Sequence, residues 1–144
     1  MIAGFTTNLF SSVDLVNAYA AGIAVDFQEA LRPVIELNPD VVDVAQTLDN
    51  ERIHNETRGP LHGAPVLLKE NIGTKDNMNT TAGPYALFGS TILEDFTVAS
   101  NLRQAGAVIL GKAGLSEWAV WRGEENSDGW SARDGQVKGA YYYV

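Results

Sequence analysis

Along residues 11–31, Leu15, Tyr19, Ile23 and Phe27 recur every four positions, a spacing that predicts an amphipathic helix. Ser11 and Ser12 stand where a helix is capped, and Asp14 falls in the first turn, near the positive end of the helix dipole. Asn38-Pro39-Asp40 has the chemistry of a second start: an asparagine cap, a proline at the first helical position and an aspartate beside the dipole. Val41, Val44, Ala45 and Leu48 are the predicted inner face of this second helix, with charge gathering toward Arg52. Both helices read as packing elements.

The pattern then changes from periodic to continuous. The turn-rich segment Arg58-Gly59-Pro60-Leu61-His62-Gly63 leads into Pro65-Val66-Leu67-Leu68-Lys69, an apolar run that predicts a core strand ending on a lysine. Residues 70–92, "ENIGTKDNMNTTAGPYALFGSTI", are polar and irregular, and loops of such length in compact domains are often functional. A helix is predicted over about 94–105, with Val98, Ala99, Leu102 and Ala105 inward and Gly106 past its last turn. A second buried strand, "AVILGK", follows at once. Strand, connection, helix and strand make a βαβ unit, with parallel strands and a right-handed crossover. Ligands of parallel sheets bind beyond the carboxyl ends of the strands, where Lys69 and Lys112 both fall. Past residue 122 the chain turns glycine-rich and polar, then closes on "GAYYYV". With no internal repeat and no linker, residues 1–144 read as a single domain.

Composition narrows the picture. A chain of 144 residues that is 45% hydrophobic and 19% charged can bury a sizeable core. The net charge of -8 argues against a nucleic-acid partner, which calls for a basic face. No stretch approaches the roughly 20 apolar residues of a membrane span. Residues 1–10 lack the pattern of a signal peptide, which favours the cytoplasm. There are no cysteines, so disulfides, thiol catalysis and cysteine metal sites are excluded. The triplets at Asn55 and Asn79 fit the glycosylation pattern, which matters only in a secreted protein.

Lys69 is the residue of most chemical interest. Desolvation at the end of an apolar strand disfavours the ammonium form, and a neutral lysine beside a serine can take the hydroxyl proton. Spacing alone leaves this open beside the simpler reading of a structural or solvent-exposed lysine. Gly111-Lys112 resembles the tail of a phosphate-binding loop, but Ala107 stands where its leading glycine belongs. His54 and His62 have no metal-site spacing, and His62 reads as a turn residue. Trp118, Trp121 and Trp130 could line a pocket, but the commoner place for tryptophan is the core.

Four segments taken together carry a resemblance. "IELNPDVVDVAQTLDNER", "RGPLHGAPVLLKENIGTKDNMNTTAGPYAL", "LRQAGAVILGKAGLSEWA" and "GWSARDGQ" resemble, in that order, the N-terminal portion of the amidase signature family, in the form common in fungi and bacteria. The resemblance implies a partial α/β amidase-signature fold, with N-terminal helices and a βαβ unit of a mixed or parallel sheet. It also implies a serine hydrolase of carboxamides, whose triad is a nucleophilic serine, a second serine held by a cis peptide bond, and a lysine.

On that resemblance Lys69 is the triad lysine, Lys112 matches a position outside the triad, and no cofactor or metal is expected. The family's two serines lie beyond "GWSARDGQ", and none of Ser116, Ser127 and Ser131 matches them. The expectation is an amidase-like chain that carries the lysine, lacks both serines, and is inactive alone. Its substrate would be a small carboxamide once the missing segment is supplied. Local departures are Glu70 for aspartate, Pro84 for serine, Ala113-Gly114 for threonine-asparagine, and Asp134 for a glycine that could carry positive φ. The alternative is a non-catalytic binding or assembly module derived from an amidase. In either case an open sheet edge and an uncovered apolar face predict cover by a homo-oligomer or a partner chain.

Overall fold

The computed structural model describes residues 4–5, 7, 9–121 and 127–141. Parts of the glycine-rich stretch and of the "GAYYYV" end lie outside the described residues.

Helix α1 (Ser12–Gly22) starts in a reciprocal capping box: the Ser11 hydroxyl accepts from the Asp14 amide while the Asp14 carboxylate accepts from the Ser11 amide. It runs on through a π-helical stretch, Ile23–Phe27, into a last turn, α2 (Gln28–Leu31), and stops at Arg32, whose φ is 51°. The inward positions differ from the expected set. Ser12 and Val16 are fully buried and Val13 and Ile23 pack beside them, whereas Tyr19 and Phe27 are each 48% exposed. A strict four-residue repeat drifts around a helix of 3.6 residues per turn, and the wider π turn rotates the far end further.

Strand β1 (Val34–Leu37) was not expected from the sequence. It is four residues long, with prolines at 33 and 39, and has too few positions for a period to show. Asn38 then turns the chain. Its amide and its side-chain amide donate to the carbonyls of Leu110 and Ile109, and its side-chain oxygen accepts from the Asp40 amide. Helix α3 (Val41–Ile53) therefore begins after Asp40 and not at Pro39. Its inner face is as expected, with Val41, Ala45 and Leu48 buried and Val44 packed against them.

Strand β2 (Pro65–Lys69), helix α4 (Thr97–Gln104) and strand β3 (Val108–Ala113) form the βαβ unit. The sheet order is β1-β3-β2, with β2 parallel and β1 antiparallel to β3, so the sheet is mixed. Helix α4 starts at Thr97 and leaves Val98 54% exposed, while Ala99 is buried and Leu102 packs on the core. Gly106 takes φ 79° just past its end, where an added Cβ would press on His62.

Apolar side chains fill both faces of the sheet. Val108 and Leu110 pack with Val16, Val41, Ala45 and Leu48 under the N-terminal helices. Ile109 and Leu68 pack with Ala99 and Met78 under α4 and the long loop. Beyond β3 the chain passes through a 3₁₀ turn, Glu117–Val120, in which Trp118, Ala119 and Val120 all have positive φ. It then forms a small hairpin of β4 (Trp130–Ser131) and β5 (Gly135–Gln136). The tryptophans do not form a core. Trp121 is 83% exposed and Trp130 is also exposed, where the chain leaves the sheet through the left-handed turn. No helix among the described residues is long and apolar enough to cross a membrane.

Candidate active site

The carboxyl ends of β2 and β3 lie side by side, with Leu68 opposite Lys112 and Lys69 opposite Ala113. Across β3, Glu36 of β1 also faces Lys112, so Glu36, Lys112 and Leu68 form one cross-strand row. Leu110 is an extra residue in this ladder: Val66 faces Ile109, but the next residue, Leu67, faces Gly111. Such a bulge reverses which face the following residues take. It aims Lys112 at the face occupied by Leu68 and the 70–92 loop.

Alternation puts Lys69 on the other face, with Leu67, and both are exposed. That face carries an apolar groove of about 470 Å³, lined in part by Tyr19, Ile23, Phe27, Pro65 and Leu67. The structure thus places Lys69 at the predicted strand end and in the open. The burial expected for it belongs to Lys112 instead, which has no exposed surface.

Lys112 is enclosed because β3 is the central strand, covered on both sides. Burial pulls its pKa down, against the pull of the Asp76, Glu70 and Glu36 carboxylates. Its Nζ donates to the Ile72 carbonyl at 2.5 Å and to the Thr80 hydroxyl at 3.2 Å. Gly111-Lys112 lies inside a strand, so it forms no phosphate loop.

Glu70, next after Lys69, is also fully buried. Its Oε1 accepts from the Thr81 amide at 2.6 Å, the Thr81 hydroxyl at 2.7 Å and Arg133 at 2.8 Å, while its Oε2 has no bonded partner among the described residues. Arg133 also donates to Glu36 at 2.8 Å, its amide bonds the Gly83 carbonyl, and its guanidinium stacks over Phe88. Glu36 in turn accepts from the backbone and side-chain amides of Asn79. A buried polar layer of Glu36, Glu70, Lys112 and Arg133 therefore fastens the long loop to the sheet on the face opposite Lys69. Sequence reasoning missed this layer. The one signal for it was a lysine directly after the unbroken run Ala107–Gly111 of a central strand.

The remaining candidates have structural duties. His62 Nε2 donates to the Leu48 carbonyl at 2.8 Å, and Nδ1 accepts from the Arg58 amide at 3.1 Å. Both ring nitrogens are thus engaged, one within the turn and one with helix α3. The Ser116 hydroxyl accepts from the Gly129 amide and the Ser131 hydroxyl from the Asp134 amide. No group of acidic and histidine side chains among the described residues is arranged to hold a metal ion.

With this geometry in hand, comparison with known proteins is specific. The family model described as Amidase matches residues 14–132. A protein of Arthroderma benhamiae that is named an amidase is 43% identical over 96% of this chain and 27% of its own length. One from Schizosaccharomyces pombe, also named an amidase, is 46% identical over 90% of this chain and 22% of its own. Among solved structures, native peptide amidase from Stenotrophomonas maltophilia superposes with a TM-score of 0.89 at 46% identity, covering 94% of this chain and 28% of that one. The chain therefore spans about a quarter of the length of these relatives.

Proposed function

Since the chain belongs to the amidase family, we propose that Lys69 is the lysine of a Ser-Ser-Lys triad in the hydrolysis of a carboxamide C–N bond. The Lys69 amine would accept, through the bridging serine, the proton of the nucleophilic serine as its oxygen attacks the amide carbon. The same proton would return to the leaving nitrogen as the C–N bond breaks. Water would then release the acid from the acyl-enzyme, with its proton restored to the serine.

The observation that carries this reading is the position of Lys69 on β2. It sits at the carboxyl end of a parallel strand, on an exposed face and within the matched stretch. Neither triad serine falls among residues 1–144, so these residues alone should release no acid or amine. The substrate would be a small carboxamide when the remaining parts of the site are supplied.

The test is an intact mass and an amide-release assay on the native protein that contains these residues, beside residues 1–144 alone. A native mass well above 15.5 kDa, with activity that Lys69→Ala lowers on the order of 10²–10⁴-fold, is the expected result. Turnover by residues 1–144 alone, or an active native enzyme indifferent to Lys69→Ala, would overturn it. The open apolar groove favours a second reading, a non-catalytic assembly module. A native mass equal to 15.5 kDa, with no turnover, would favour that one.

A further inference from the structure

Lys112 is the one charged residue of β3 and is fully buried, and its surroundings reveal what it does. Burying an ammonium is costly unless acceptors compensate it. Its bonded acceptors among the described residues, the Ile72 carbonyl and the Thr80 hydroxyl, belong to the loop that leaves Lys69 and not to its own strand or a helix. The stability of the buried charge is therefore tied to where that loop lies.

Ile72 links the two lysines directly. Its carbonyl accepts from Lys112, and its amide donates to the Lys69 carbonyl at 2.9 Å. On either side of Lys69 the backbone is fixed to β3, by the pairing of Leu68 with Lys112 and by the bond from the Glu70 amide to the Ala113 carbonyl at 3.0 Å. Lys69 is thus an exposed side chain on a backbone pinned from the opposite face of the sheet. The bulge at Leu110 is what lets Lys112 reach that face.

We propose that Lys112 is a positioning residue for Lys69, tethering the Lys69–Ile72 turn to β3 through the Ile72 carbonyl and the Thr80 hydroxyl. Its functional meaning rests on the reading of Lys69 as the site lysine. The tether itself is testable without turnover.

The experiment compares Lys112→Met and Lys112→Arg with the unaltered chain, by amide hydrogen exchange and by the side-chain carbon resonances of Lys69. In Lys112→Met the Ile72 amide should exchange at least tenfold faster relative to the Val108 amide, which is bonded to the Ala64 carbonyl remote from the tether. The Lys69 Cε resonance should shift, and Lys112→Arg, which keeps a donor, should restore most of both signals. Equal acceleration at Ile72 and Val108 would mean general destabilisation and would overturn the proposal. Unchanged Ile72 exchange and an unmoved Lys69 resonance would overturn it too. If Lys112→Met fails to fold, Thr80→Val removes one acceptor and asks the same question, with a smaller change expected in the same direction and no change counting against the tether. Because none of these signals reads hydrolysis, an inactive native protein would refute the role of Lys69 and leave the tether intact.

Discussion

Asp134 carries its carboxylate into a place where Oδ2 has no bonded partner among the described residues, and burial raises its pKa against the pull of Arg32 and Arg133. The residue is not in the left-handed region; Gly135, one position on, takes φ 76°. The strain expected from replacing a glycine is therefore absent, and the cost is electrostatic. A carboxyl whose folded pKa lies above its unfolded value is favoured in the fold when protonated. Its cost is absent below the unfolded value, near pH 4, and grows as pH rises through the folded value. Asp134→Ala should accordingly raise stability at pH 7 by about 1 kcal/mol, with the gain disappearing near pH 3, as read from urea unfolding at both pH values. Asp49 responds to acid in the opposite direction. Burial opposes its ionisation, but bonds from the Ser12 and Val13 amides and from Arg52 outweigh that and hold its pKa down. Its contribution is present above the unfolded value and lost as pH falls through the folded one. Asp49→Ala should lower stability at pH 7 by about 2 kcal/mol, with the difference shrinking in acid. These two aspartates look alike in the sequence, and only their neighbours set the sign.

At the scale of elements, β3 does most to shape the site. Gly111 pairs with Leu37 of β1. A Cβ there would stand 2.5 Å from the Glu36 carbonyl oxygen and 3.2 Å from the Leu37 Cα, both backbone atoms that cannot rotate away. Gly111→Ala should push β1 outward and lower stability by about 2 kcal/mol, seen as a lower urea midpoint with an unchanged slope. An unchanged midpoint would mean that β1 is free to shift. The βαβ unit was legible because two apolar runs flank an amphipathic helix closed by a glycine. Strand β1 was not, since a four-residue strand carries too little pattern. Nor was the bulge at Leu110, which follows from how three strands pair and not from the order of residues within one.

On the whole-molecule scale, Arg133 joins parts of the chain far apart in sequence. Its guanidinium bridges Glu36 on β1 and Glu70 beyond β2, and its amide bonds the loop at Gly83. Removing it would leave the Glu70 carboxylate buried without its bonded cation. Arg133→Leu should therefore cost about 3–5 kcal/mol, and Glu70→Gln in the same chain should recover part of the loss, both by thermal unfolding. Equal stability of Arg133→Leu and the unaltered chain would show that the layer is not stabilising. On the opposite face the groove beside Leu67 stays open, flanked by the exposed rings of Tyr19 and Phe27.

The sequence by itself determined the elements that depend on local spacing: the capped N-terminal helix, the inner face of α3, the parallel strands around α4, and Lys69 at a strand end. These follow from side-chain periodicity and from the backbone needs of caps and turns, which act over a few residues. Tertiary structure alone decided which lysine is buried. A central strand loses solvent on both faces and an edge strand does not, so Lys112 is desolvated while Lys69 stands exposed. It also decided where the charges meet, since Glu36, Glu70, Lys112 and Arg133 come together only when the long loop folds back over the sheet.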